Sequence, residues 1–251
     1  MATLEELEKI VQENGKLEGW DFSRINTSYD PIPWNYSNIV RAYLRPTDRV
    51  LDIGTGGGEI FLSLAPYLSE GIGIDDYPTM IETAKRNQSK LAVRNIEFIE
   101  MDASSLQFEA SEFDVVLLRH LQVYVNEIVQ VLQPGGYFIT QMVGKRTSKN
   151  FLEAFGWTSE SFGPDWWQPV GELATQFQEK GCHIVAQGEY DVKYWFKDMA
   201  SFMFWIMSVP WPEDIELEKR WQNINRILET STTNRGIETN EHRGLLIVQK
   251  Q

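Results

Sequence analysis

The stretch Val50-Leu-Asp-Ile-Gly-Thr-Gly-Gly-Gly-Glu59 decides how the rest of the chain is read. An apolar run carrying Asp52 gives way to a turn made of Gly54, Gly56, Gly57 and Gly58, and the helix-forming run EIFLSLAPYL follows. Glycine permits positive φ and close backbone approach, at a cost in chain entropy. A turn this bare implies a ligand lying against the main chain, with the free N–H groups of a helix start behind it. Strand, glycine turn and helix together form the first βα turn of a doubly wound α/β unit.

The variant of the turn narrows the ligand. The dinucleotide fingerprint G-x-G-x-x-G has glycine at its sixth position; here that position is Glu59. A carboxylate at the helix mouth repels the pyrophosphate that a helix dipole otherwise attracts, and Asp52 adds a second negative charge. Two carboxylates suit a ligand with positive charge. S-adenosylmethionine fits, with an ammonium, a sulfonium and no phosphate. The stretch resembles motif I of the class I S-adenosylmethionine-dependent methyltransferases, and the resemblance runs over residues 48–143, with several motifs in the family's order. It implies an α/β fold: a Rossmann-like, seven-stranded, mostly parallel sheet with helices on both faces and a terminal antiparallel hairpin at its edge. It also implies that the methionine end of the cofactor meets Asp52 and the backbone of Gly54, Thr55, Gly56 and Gly58.

A second strand is expected over Ile72–Asp75, and Asp75 lies 21 residues after Gly54. Parallel strands joined by one helix bring their C-terminal ends to the same edge, so a carboxylate there is placed to accept both hydroxyls of a ribose. Asp76 stands where the family has an apolar residue against the adenine. Asp75 and Asp76 are therefore both candidates for the ribose, with Asp75 preferred because it ends the apolar run directly. Pro78 opens the next helix, where its missing N–H costs nothing, and Met80 on that helix is a candidate adenine contact. Residues 96–103 alternate as a strand and end in Asp102-Ala103. The resemblance implies that Asp102 accepts a hydrogen bond from the adenine amine and that the Ala103 N–H meets the ring.

Phe113–Leu118 is continuously apolar, as a central parallel strand should be, and runs into Arg119-His120. Ligands in open α/β sheets sit beyond the carboxyl ends of the strands. Arg119 and His120 are thus the candidate catalytic pair: His120 as a base near neutrality, Arg119 either binding an acidic group on the acceptor or orienting His120. Arg119 is also counted among the candidate cofactor contacts. A helix is expected over 123–132, then the turn Pro134-Gly135-Gly136, then a strand over 137–143; LQPGGYFIT is a second stretch that resembles the family.

Around this core the sequence changes character. Residues 4–14 carry apolar positions at helical spacing and stop at Gly15. Residues 16–36 are irregular and aromatic, serving either as packing or as a flap over a ligand, and a short helix is expected over 38–44. A helix over 171–180 and strands over 182–189 and 243–249 follow. Seven of the nine Trp lie between Trp157 and Trp221. The expected organisation is residues 1–40 as N-terminal helix and aromatic flap, 41–197 with 241–251 as methyltransferase core, and 198–240 as an inserted, aromatic-rich helical cap. A loop of that length is rarely structureless. The cap reads equally as a lid lining an apolar substrate pocket and as a packed helix or dimer interface. His183 and His242 read as structural.

The formal charge of the 251 residues is −13, which argues against a nucleic-acid partner. Cys182 is the single cysteine, so neither an intrachain disulfide nor a zinc cluster is expected, and no metal site is assigned. Neither a secretory signal pattern nor an apolar run of the ~20 residues a bilayer needs is present, so a cytoplasmic location is expected. The expected function is methyl transfer from S-adenosylmethionine to a small-molecule acceptor by in-line displacement, in a monomer or homodimer. The alternatives are an RNA or protein methyltransferase with the same core, and a non-catalytic S-adenosylmethionine-binding protein.

Overall fold

The computed structural model describes all residues except 16, 18 and 164–166. Two residues of the aromatic N-terminal segment and Trp166 of the Trp-rich stretch therefore lie outside the described residues. The parallel half of the sheet is built from β2 (Arg49–Ile53), β3 (Glu70–Asp75), β4 (Ile96–Glu100), β5 (Phe113–Arg119) and β6 (Leu132–Val143), in the spatial order β4-β3-β2-β5-β6. The sheet continues antiparallel through β9 (Gly236–Lys250) and β7 (Cys182–Phe196) to β1 (Thr27–Tyr29). These include the seven strands expected. Two more join them: β1 on the outer edge of β7, and the two-residue β8 (Thr232–Thr233) paired with the start of β9.

Strand residues alternate between two apolar layers, as the period of two requires. Leu51, Ile53, Val116 and Leu118 pack on one face with α5 (Val125–Val131) and α7 (Val170–Glu179). Val50, Val115, Leu117 and Ile139 pack on the other with α2 (Tyr36–Tyr43), α3 (Glu59–Leu64) and α4 (Pro78–Leu91). The central strands are buried on both faces, which is why they read as unbroken apolar runs. The parallel register places Ile53 beside Ile74, and Arg119 beside Gln141, at one edge. That edge is where the glycine turn leaves β2.

The N-terminal helix α1 (Leu4–Asn14) matches its expected bounds because its ends are chemically marked. Thr3 and Glu6 form a reciprocal capping box, and Gly15 terminates the helix at φ +67°. The turn Pro134-Gly135-Gly136 lies inside β6 as a bulge: the register shifts opposite Phe113 and Val115, so the strand pairs on both sides of it.

The hairpin is longer than the sequence suggests. β7 runs to Phe196 and β9 starts at Gly236, with Thr27–Tyr29 added along β7. Alternation of buried and exposed positions persists from Cys182 almost to the end of β7, and then Trp195 and Phe196 are both buried. There a third apolar cluster begins. Leu7 of α1, Phe151 of α6 (Lys149–Phe155), Phe202 of α8 (Met199–Ile206) and Ile224 and Ile227 of α9 (Leu217–Ser231) pack with Phe196 and Ile237. Each Phe in it that is fully removed from water stabilises the assembly by roughly 2 kcal/mol. The inserted helices α8 and α9 thus share a core with the N-terminal helix.

Candidate active site

The glycine turn is held by the neighbouring strand. Gly54 and Thr55 both donate backbone N–H bonds to the Ile74 carbonyl at 2.9 Å, and Gly58 donates to Thr55 O at 3.0 Å. Gly54, Gly56 and Gly58 have φ of +70°, +56° and +74°, values that strongly favour glycine. Bareness has two causes here. A Cβ on Gly58 would lie 2.8 Å from the Phe98 ring, so that glycine serves internal packing. Gly54 and Gly56 instead face Leu121 and Trp20, whose side chains are 42 % and 44 % exposed. The outward side of the turn, buried at Gly56 beneath the partly exposed Trp20, is the candidate ligand groove.

Carboxylates gather around that groove, and burial weakens the ionised form of each. Asp52 is half-buried; desolvation pushes its pKa up to about 6, with Asp75 adding repulsion, while Thr55 and Arg119 pull it back. Thr55 Oγ1 is buried and lies 2.9 Å from where a Cβ on Gly73 of β3 would sit. Asp75 is only 9 % exposed. One of its oxygens accepts the Gly56 N–H at 2.9 Å and the other the Tyr77 N–H at 3.1 Å. Desolvation still raises its pKa, against those bonds and with help from Asp76. The carboxylate expected at the ribose thus ties the glycine turn to the end of β3. Glu59 folds back across Gly57, within 2.5 Å of where a Cβ on Gly19 would sit. Its pKa is raised by burial, opposed by hydrogen bonds from its own N–H and that of Trp20. The negative charge at the helix mouth is therefore turned toward the N-terminal segment rather than outward.

The remaining candidates separate. Asp76 is exposed and Met80 half-buried on the first turn of α4. Asp102 is exposed and caps its own turn: its Oδ1 accepts the Ser104 N–H at 2.7 Å, and the Ser104 backbone and side chain hold its carboxyl below the usual range. Ala103 packs partly against the first core layer.

At the end of β5, the Arg119 guanidinium lies 5.6 Å from the centre of the Tyr36 ring, within the electrostatic reach of Asp52. Tyr36 is buried and its hydroxyl donates to Ile139 O at 3.3 Å. His120 follows at φ +59°, a left-handed value uncommon outside glycine, and its N–H donates to Gln141 O at 3.0 Å. His120 is exposed to solvent. Surrounding protein, then the charges of Arg243 and Arg119, hold its pKa well below the usual value, so the imidazole is neutral at neutral pH. Gln141 is buried and accepts the Trp34 indole N–H at 2.9 Å, and Trp34 meets Tyr190 edge-on at 4.7 Å. Trp34 and Tyr36 belong to the aromatic stretch that reads as packing or flap, without a place at this edge, and Gln141 and Arg243 were not marked by the sequence. They reach this edge only because α2 and the antiparallel strands fold beside it, and no local pattern signals that. A cleft of about 590 Å³ bordered by α6, α9 and β9, with Lys149, Asn150 and Arg226 in its wall, lies apart from these groups.

Residues 51–140, from inside β2 to inside β6, match the family model described as a methyltransferase domain. Over these residues the chain carries a methyltransferase domain. The domain is similar to the uncharacterized methyltransferase YcgJ of Bacillus subtilis, with 34% identity over 108 residues, 40% of this chain and 43% of that protein. It is similar to the ubiquinone/menaquinone biosynthesis C-methyltransferase UbiE of Ectopseudomonas mendocina, at 28% over 142 residues, 52% of this chain and 56% of the relative. The chain spans about half the length of these relatives. The fold extends further than the sequence match. The crystal structure of Bacillus subtilis YcgJ superposes with a TM-score of 0.64 over 86% of this chain and 98% of that one, at 20% identity. Outside the methyltransferase domain, no helix among the described residues is long and apolar enough to cross a membrane.

Proposed function

We propose that this chain transfers a methyl group from S-adenosylmethionine to a small-molecule acceptor. The observation that carries the reading is the pairing of a positive-φ glycine turn with two carboxylates, Asp52 and Asp75, whose ionised forms burial disfavours. Such a groove selects a cation, because a positive ligand relieves the cost of burying the charges. A pyrophosphate would add to that cost.

Asp52 with the Gly54, Thr55, Gly56 and Gly58 backbone would hold the methionine end of the cofactor. Asp75 would hold the ribose, with Asp76 at its rim, and Met80, Asp102 and Ala103 would border the adenine. When bound, the cofactor supplies an electrophilic methyl on a cationic sulfur. The chain's own work is then chiefly orientation, which for a well-placed pair of reactants is worth roughly 7–11 kcal/mol of barrier. His120, neutral because of its surroundings, accepts a proton from an acidic acceptor atom. Arg119, fixed over Tyr36, stabilises negative charge on that acceptor. The acidic balance of the chain and its similarity to relatives named for quinone biosynthesis support a small organic acceptor over RNA or protein.

The test is calorimetric titration of the purified protein with S-adenosylmethionine, S-adenosylhomocysteine and NADH, repeated on Asp52→Ala and Asp75→Ala. Micromolar binding of both adenosyl ligands, lost in both variants, is expected. A preference for NADH, or adenosyl binding indifferent to both substitutions, would sink the reading. Turnover in an acceptor screen separates a methyltransferase from a cofactor-binding protein that never transfers the group.

A further inference from the structure

The glycine turn is bordered by a side chain that the proposed mechanism leaves idle. Trp20 lies with Cδ1 2.6 Å from the position a Cβ on Gly56 would take, so the indole rests against the bare backbone of the turn. The segment carrying it is seated from two sides. Gly19, at φ +58°, presses on the turn so closely that a Cβ would come within 2.5 Å of Glu59 Oε1 and 3.2 Å of Gly57 Cα. The Trp20 N–H is among the donors that hold the Glu59 carboxyl down. Outward, the indole meets Phe22 at 5.9 Å, and Phe22 meets Phe204 of α8 edge-on at 6.0 Å. Despite these contacts the indole stays 44 % exposed.

A large aromatic held in place at a ligand groove, with much of its surface open, is placed to cover something. The face of an indole is electron-rich and attracts cations, more strongly than Tyr or Phe does. The groove it borders is lined by Asp52 and Asp75, so cationic character in the ligand is already selected there. We propose that Trp20 is a cofactor-binding residue: it walls the groove at Gly56 and sets aromatic surface against the sulfonium of the cofactor, favouring it over the neutral thioether product. This rests on the proposed S-adenosylmethionine site. It assigns one part of the aromatic N-terminal segment to ligand binding, with the inserted helix α8 as its outer support.

Two measurements test it on the full chain. Protein labelled with 5-fluorotryptophan gives one fluorine resonance per Trp, and Trp20→Phe identifies that of Trp20 by its disappearance. On titration with S-adenosylmethionine this resonance is expected to shift saturably; an unmoved resonance at saturation would overturn the proposal. Calorimetry then compares S-adenosylmethionine with S-adenosylhomocysteine on wild type, Trp20→Phe and Trp20→Leu. The leucine variant should lose about two- to five-fold of the relative preference for the sulfonium, the range expected of a cation–π contact at an exposed site, and the phenylalanine variant should keep part of it. An unchanged affinity ratio in Trp20→Leu would reduce the indole to packing. Tighter binding in that variant would mean that the indole fills the groove instead of walling it. Absence of binding by the wild type would instead remove the underlying site, and this inference with it.

Discussion

Cofactor affinity should depend on pH through Asp52. Burial raises its pKa to about 6 in the free protein. A carboxylate raised on folding destabilises its ionised form, so protein stability falls as pH rises through about 6. Ligand binding runs the other way. An ammonium placed against the ionised carboxylate restores a pKa at or below the ordinary ~3.9 of an aspartate. Binding then draws on the ionised form alone. At pH 7 that form is already dominant; at pH 5 it is about a tenth of the population, and the same linkage makes Kd about tenfold larger. Asp52 is partly open to solvent, so tenfold is the upper end of the effect; Asp75, shifted in the same direction, adds to it. S-adenosylhomocysteine is the ligand to use, since it carries the same ammonium, which stays protonated across this window. Titrations at pH 5, 6 and 7 in buffers of different ionisation enthalpy give both the affinity and the protons released, with release greatest below pH 6. In Asp52→Asn, which has no ionised form to draw on, the affinity at pH 7 should fall by up to about a hundredfold for a pKa drawn from about 6 to ~3.9, and so below the wild-type value at pH 5, with most of the slope gone. A wild-type Kd flat between pH 5 and 7, with no buffer-dependent heat, would refute the reasoning: the ligand would then not be paired with Asp52.

Three further outcomes are expected. Gly58→Ala forces a side chain to φ +74° and to within 2.8 Å of the Phe98 ring; a loss of about 2–4 kcal/mol in urea unfolding is expected, and a loss below 1 kcal/mol would show that the turn is not packed as described. His120→Gly relieves a left-handed histidine and should leave stability unchanged or raise it by up to about 1 kcal/mol, with S-adenosylhomocysteine affinity within about twofold of wild type; clear destabilisation would mean that the imidazole is a structural group. His242 is buried, accepts the Arg146 N–H on Nδ1 at 3.1 Å and meets Glu189 through Nε2 at 3.2 Å. His242→Ala should therefore cost about 2–4 kcal/mol and open residues 144–149 to limited proteolysis, and an unchanged melting temperature would contradict that.

The parallel core was legible because its signals are local. Strands such as Val50–Ile53 and Phe113–Leu118 are buried on both faces and read as apolar runs; Pro78 and the glycines mark where helices and turns begin. The family likeness supplied the order of the strands. Asp52, Asp75 and Arg119 were legible for the same reason, since each ends or closely follows such a run and the topology sends those ends to one edge. The far half of the hairpin was not. Tyr194-Trp195-Phe196 resembles the aromatic stretch that follows it, and the difference is tertiary: these residues pair with Thr27–Tyr29 on one side and with 237–239 on the other. Trp20 over Gly56 was equally silent, because a contact between residues 36 positions apart leaves no period in the sequence.

What the sequence divides into flap, core and cap, the packing joins. Leu7 of the N-terminal helix, Phe202 of the insertion and Phe196 of the sheet belong to one apolar cluster. Phe22 carries that body to the glycine turn, through Phe204 on one side and Trp20 on the other. At the His120 end, Trp34 spans Gln141 and Tyr190 of the hairpin. The segment between α1 and α2 therefore touches both ends of the candidate site, near Gly56 through Trp20 and near His120 through Trp34. The 13 residues between those two indoles include β1, which is paired to the hairpin. Trp20 at one end and Trp34 at the other are thus joined through a strand paired to the hairpin. If the site is the proposed one, such a link serves an enzyme that must align two reactants along one line, because the residues at the Gly56 end are tied to those around His120.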